Sequence, residues 1–106
     1  MSRKHLAEKA AAALASIEAE LHRTGYWQDQ PLRPEQLDFN EAFAMDTMSF
    51  TQWLQFIFIP RVRECIAGND FPSDSMVGAQ AVREFDGDPN AGNLVLLLSE
   101  FDALFE

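Results

Sequence analysis

The residues that could carry chemistry are few. His5 and His22 are separated by a whole helix's length, and Cys65 is the single cysteine. None of the three forms a Cys or His pair at metal-ligand spacing, so no metal site is expected. Cys65 lies beside Ile66 in an apolar run, where a buried, inert thiol is the expected state. No Gly-x-Ser-x-Gly elbow, catalytic triad or glycine-rich phosphate loop occurs. Carboxylates are plentiful, but acids on helix surfaces are normally solvated. Asp46 stands apart, because it lies between Met45 and Met48. Two roles suit it. One is a buried acid with a raised pKa. The other, favoured here, is a backbone cap or a partner for Arg61 or Arg63. The expectation is a protein that is not an enzyme and holds no cofactor.

The aromatic residues offer a different chemistry, that of contact. Trp27, Phe43, Phe50, Trp53, Phe56 and Phe58 are more rings than one helix needs on its inward side. Each ring buries roughly 150–250 Å², so core packing explains most of them. An exposed remainder would form a patch for a partner or a weak homodimer.

These residues need elements to position them. Residues 3–23 read as a first helix capped by Ser2. Leu6, Ala10, Ala13, Leu14, Ile17 and Leu21 fall on one stripe, and Thr24-Gly25 ends it. Residues 25–40 read as a loop broken by Pro31 and Pro34 and anchored by Tyr26, Trp27, Leu32 and Phe39. Asn40 is placed to cap a short turn over residues 41–43. Ser49 followed by Gln52 is a capping-box pattern, which starts the second helix at Phe50 and carries it to about Ile66. That helix is apolar on most sides and must be surrounded by others. Pro60 leaves the carbonyl of Phe56 without its usual donor, a cost of about 3 kcal/mol in a helix interior. A kink or break is expected between Phe56 and Pro60. A short helix over residues 76–86 is weakened by Gly78, and a last helix starts at Asp88-Pro89 and runs to about Leu104. The predicted fold is all-α: a single domain over residues 1–106, closed as an up-and-down four-helix bundle. Its second helix is central and kinked or broken at Pro60.

Composition bounds the function. At 106 residues and 47% hydrophobic, the chain is large enough for one core without staples. The formal net charge is −9. Binding to nucleic acid or anionic lipid as a main activity needs the opposite sign. The charge is lopsided. Residues 1–63 carry seven Lys and Arg against eight Asp and Glu, whereas residues 64–106 carry one Arg against nine acids. No apolar run approaches the ~18 residues of a membrane span. Acids interrupt the N-terminal stretch where a signal peptide needs an apolar core. With a lone cysteine, a cytoplasmic location is expected.

One string is specific. Ala42-Phe43, Asp46-Thr47-Met48, Gln52-Trp53-Leu54-Gln55 and Phe58-Ile59-Pro60-Arg61 follow one another at fixed spacing. Trp27 precedes them, and a closing stretch ends in Asp102-Ala103-Leu104-Phe105. On these residues the chain resembles the YqcC-like small bacterial proteins, a family of unknown function. The resemblance covers nearly the whole chain and is weakest in the third helix. It implies a helical bundle with no assigned reaction. It also implies a partner lead, since such genes lie beside a tRNA pseudouridine synthase in some bacteria.

Three functions follow as expectations. The first is a non-catalytic protein-interaction module presenting Asp46, Thr47, Met48, Pro60, Arg61 and Arg63 beside Trp27, Trp53 and Phe56. The second is an accessory to tRNA modification, partnered with a pseudouridine synthase. Direct RNA contact would need Arg23, Arg33, Arg61 and Arg63 to cluster. The third is a small-ligand binder or enzyme using a pocket near Asp46 and Pro60.

Overall fold

The first helix, α1, spans Arg3–Thr24 in the computed structural model, which describes residues 3–105. Ala10, Leu14, Ile17 and Leu21 form its buried stripe, as the period near 3.6 predicts. The predicted Ser2 cap lies outside the described residues. Gly25 takes φ +82°, the left-handed geometry that lets the chain leave the helix end.

The chain then crosses a long loop containing two 3-10 turns, Pro34–Leu37 and Ala42–Ala44. The next helix starts at Phe50 on a Ser49/Gln52 capping box, as the sequence predicts. The Gln52 N–H donates to Ser49 Oγ, and the Gln52 side chain accepts from the Ser49 N–H. It comprises α2, Phe50–Trp53, and α3, Ile59–Gly68, joined by one π turn over Leu54–Phe58. In that turn the Ile59 N–H donates to the Leu54 carbonyl, five residues back rather than four. This is how the rod passes Pro60. The interruption expected between Phe56 and Pro60 is a widened turn through which the helix continues, because the wider spacing eases the demand for a donor at position 60. Asn69, in the left-handed region at φ 50° and ψ 39°, ends α3.

Helix α4, Val77–Glu84, is short. A 3-10 turn, Pro89–Ala91, leads into α5, Gly92–Ala103, and Asp88 accepts from the Asn90 N–H at its start. Helix α1 packs on α3 and α5, and α5 packs on α4. The result is an all-α bundle whose apolar residues form one core. Through that core runs a line of rings. Phe43 meets Trp53 at 5.0 Å, Trp53 meets Phe58 at 5.6 Å, Phe58 meets Phe101 at 5.1 Å, and Phe101 meets Phe105 at 5.1 Å.

Two features of α4 lie beyond a local reading of sequence. Gly78 is buried, and a Cβ built there would stand 2.6 Å from Ser99 Cα and 2.8 Å from Asp102 Oδ2. It is therefore a point of close helix approach as well as a weak helix former. Asp102 of α5 caps α4 from outside. Its carboxylate accepts from Val77 N–H at 3.0 Å, Gly78 N–H at 2.7 Å, Ala79 N–H at 3.4 Å and Ser75 Oγ at 2.6 Å.

Candidate functional site

The string that carries the family resemblance folds into a clamp between the long loop and the second helix. The Gln28 N–H donates to Gln55 Oε1 at 2.9 Å, and Gln55 Nε2 donates back to the Gln28 carbonyl at 2.8 Å. Gln52 Nε2 donates to Gln28 Oε1 at 3.1 Å, while its own Oε1 accepts from the Ser49 N–H at 2.9 Å. Gln36 ties down the middle of the loop. Its Oε1 accepts from the Arg33 N–H at 2.9 Å, and its Nε2 donates to the Thr47 carbonyl at 3.2 Å. Thr47 Oγ1 donates to the Gln36 carbonyl at 2.6 Å. Gln36 and Gln55 are both buried. Paired reciprocally, their amides meet the demand that buried polar groups be bonded.

Asp46 serves the same clamp. It is exposed, and its carboxylate accepts from the Asn40 N–H at 3.0 Å and the Glu41 N–H at 3.3 Å. Those bonds, the Asn40 amide foremost, hold its pKa below the ordinary value, the reverse of the raised pKa that burial would give. Asp46 is thus a backbone cap, pairs with neither Arg61 nor Arg63, and replaces Asn40 as the residue that braces this turn. The turn needs bracing, because Phe43 and Ala44 both sit in the left-handed region at φ 58° and 52°. The Phe43 ring repays that strain against Phe50 and Trp53. Met48 and Trp53 are core residues.

The other predicted site residues separate. Trp27 is half-buried and stacks on His22 with centroids 4.4 Å apart. Phe56 is also half-buried. These two rings are the chain neighbours of the Gln28–Gln55 pair. Arg61 and Arg63, two residues apart on α3, diverge. Arg63 bridges to Glu18 of α1 at 2.7 Å, beside a shallow trough of about 380 Å³ lined by Ala11, Leu14 and Ile66. Pro60 and Arg61 are exposed, and Arg61 stands at a separate cavity shared with Phe58, Phe71 and Phe105. Three of the four arginines that direct RNA contact would need are held by carboxylates of the same chain. Arg23 bonds Glu20 at 2.5 Å, Arg33 bonds Glu35 at 3.2 Å, and Arg63 bonds Glu18.

Two ionisable side chains outside the predicted set have shifted pKa values. Glu20 is buried, and the Arg23 guanidinium holds its pKa below the usual value against the opposing effect of burial. Tyr26 Oη donates to Asp88, whose carboxylate pushes the phenol's pKa up with help from burial. The first contact lies within α1, three residues apart, and the second ties the segment after α1 to the start of the last helix. Sequence reasoning missed the Gln28, Gln36 and Gln55 contacts; the one signal was Gln55, an amide in an otherwise apolar stretch. Among the described residues no group of His, Cys, Asp and Glu could hold a metal ion, and no helix is long and apolar enough to cross a membrane.

Comparison with known proteins supplies a family. A family model described as tRNA pseudouridine synthase C matches residues 9–104. The uncharacterized protein YqcC of Escherichia coli K12 is 31% identical over 98 residues, covering 87% of this chain and 86% of that protein. An uncharacterized protein of Haemophilus influenzae is 30% identical over 77 residues, covering 69% of this chain and 73% of its own length. A tRNA pseudouridine synthase C of Pectobacterium carotovorum is 38% identical over 50 residues. That match covers 47% of this chain but 13% of that longer protein. No solved structure is significantly similar. With the string from Asp46 to Gln55 forming the clamp and the match running from residue 9 to 104, the chain belongs to the YqcC-like family.

Proposed function

We propose that the protein is a non-catalytic helical module that works in the cytoplasm by binding a tRNA-modifying enzyme, a pseudouridine synthase. The link to tRNA modification comes from the name of the Pectobacterium carotovorum relative and the family description. The observation that carries the reading is electrostatic. Arg23, Arg33 and Arg63 are each held by a glutamate of the same chain, within a protein of net charge −9. Such a surface repels a polyanion, so the connection to tRNA runs through a protein. An enzyme that binds tRNA carries a basic surface, and the acidic half of this chain complements it. The half-exposed rings of Trp27 and Phe56 lie beside the rigid Gln28–Gln55 clamp and supply aromatic anchors.

The test is reconstitution. The purified protein is mixed at micromolar concentration with the tRNA pseudouridine synthase C of the same organism and run on size exclusion with light scattering. A stoichiometric complex is expected, weakened by raised salt and by Trp27→Ala or Phe56→Ala in folded protein. Separate elution of the two proteins, or a gel shift of tRNA by this protein alone, rejects the reading.

A further inference from the structure

Past the π turn, residues of α3 and α5 border an apolar cavity of about 210 Å³. Its wall is made by Phe58, Val62, Cys65, Phe71, Phe101 and Phe105, with Arg61 and Pro72 also bordering it. Phe58, Val62 and Phe101 are buried core residues, so the floor is fixed by the packing of the whole bundle. Phe71, Cys65 and Phe105 are half-buried, so the cavity opens to solvent between them. The Phe71 and Phe105 rings stand 5.8 Å apart and Phe105 leans on Phe101 at 5.1 Å, which leaves ring faces and edges lining the space.

Size and chemistry together narrow the occupant. An engineered cavity of about 150 Å³ lined by Leu, Ile and Phe stays dry and takes up benzene. The present cavity is of comparable size and mostly ring-lined, but it opens to solvent, and Arg61, Cys65 and Ser75 also border it. Water inside would find few polar partners, because Ser75 at its edge already donates to Asp102. One aromatic ring fits such a space. The second observation is Arg61. It is exposed, it borders the cavity, and no carboxylate pairs with it among the described residues, whereas Arg23, Arg33 and Arg63 are all paired. A guanidinium at the rim of a ring-lined pocket selects a carboxylate attached to the ring by a short chain.

We infer that this cavity binds a small arylalkanoic acid, its ring between Phe58, Phe71 and Phe105 and its carboxylate on Arg61. The site is separate from the Trp27–Phe56 surface and stands or falls independently of the enzyme partner.

Cys65 makes the test direct, because the sole thiol of the chain lies in the cavity wall. Alkylation of the intact protein by iodoacetamide is followed with 3-phenylpropionate or with the neutral 3-phenylpropanamide present. Saturable slowing by the acid is expected, with the amide about threefold weaker, as suits a charge pair at a solvent-exposed rim. Arg61→Gln should remove the difference between acid and amide while leaving the melting temperature of the unliganded protein unchanged. Three results overturn the inference. One is an alkylation rate that neither probe changes at millimolar concentration. Another is equal protection by acid and amide in the wild type. The third is protection by the purified synthase with none by the acid, which would assign the cavity to a protein contact.

Discussion

Gly78 is where the backbones of α4 and α5 leave no room for a methyl group. Helix propensity alone says that Gly78→Ala stabilises by about 1 kcal/mol. The 2.6 Å approach to Ser99 Cα says the opposite, because backbone cannot rotate aside. Overpacking costs about 1–3 kcal/mol, so urea denaturation of Gly78→Ala should show a net loss. Two other side chains make stability depend on pH. Glu20 has a folded pKa below its ordinary 4.5, with the Arg23 bond as the main cause. Its contribution is present above about pH 4.5 and is lost as pH falls through the folded value. Glu20→Gln should therefore flatten the acid side of a melting-temperature profile. Tyr26 is the mirror case. Its folded pKa lies above the ordinary 10.0 because the neutral hydroxyl donates to Asp88. That contribution is present below pH 10 and disappears as pH rises through the folded value. Tyr26→Phe should lack this alkaline loss. At this scale the sequence was informative only where partners are close along the chain. Ser49 and Gln52 are three residues apart and the capping box was legible. Tyr26 and Asp88 are brought together by the fold, and nothing in the local pattern pairs them.

Among the elements, the long loop differs most from its appearance in sequence. The sequence suggests a loop anchored by its apolar side chains, and in addition Gln28, Gln36, Thr47 and Gln55 fasten it to the helix and to itself through hydrogen bonds. Gln55→Ala removes both halves of a reciprocal bond and leaves the Gln28 backbone groups unpaired. A cost of about 1–3 kcal/mol is expected, with faster proteolytic cleavage within residues 28–40 than in wild type. A variant that melts earlier but is cut no faster would show that the loop is held by its apolar anchors Leu32 and Phe39 instead. The extent of the second helix was readable from its cap and its apolar run. The manner of passing Pro60 was not, because a kink, a break and a π turn all answer the same missing donor. A one-dimensional pattern does not contain the tertiary packing that distinguishes them.

For the molecule as a whole, hydrophobic periodicity was enough to specify an all-α bundle, and the buried stripe of α1 lies where the spacing put it. The candidate surfaces were less legible. The string from Asp46 to Gln55 looked like a site and folds into the clamp beside one, because residue types and spacing do not show what the side chains touch. The same dependence on distant contacts governs how the bundle comes together. Helix α4 has eight residues, a glycine at its second position and a first turn whose amides are satisfied by Asp102. So short a segment is not stable alone in water. The stability of α4 is therefore expected to depend on α5, although α4 comes first along the chain. Residues 77–84 and the far end of α5 should open as one cooperative unit, with matching amide exchange at Val77, Gly78 and Leu98. A chain cut after Ser99 should lose α4 as well as its tail, and with Phe101 and Phe105 gone it should lose the aromatic cavity in the same step.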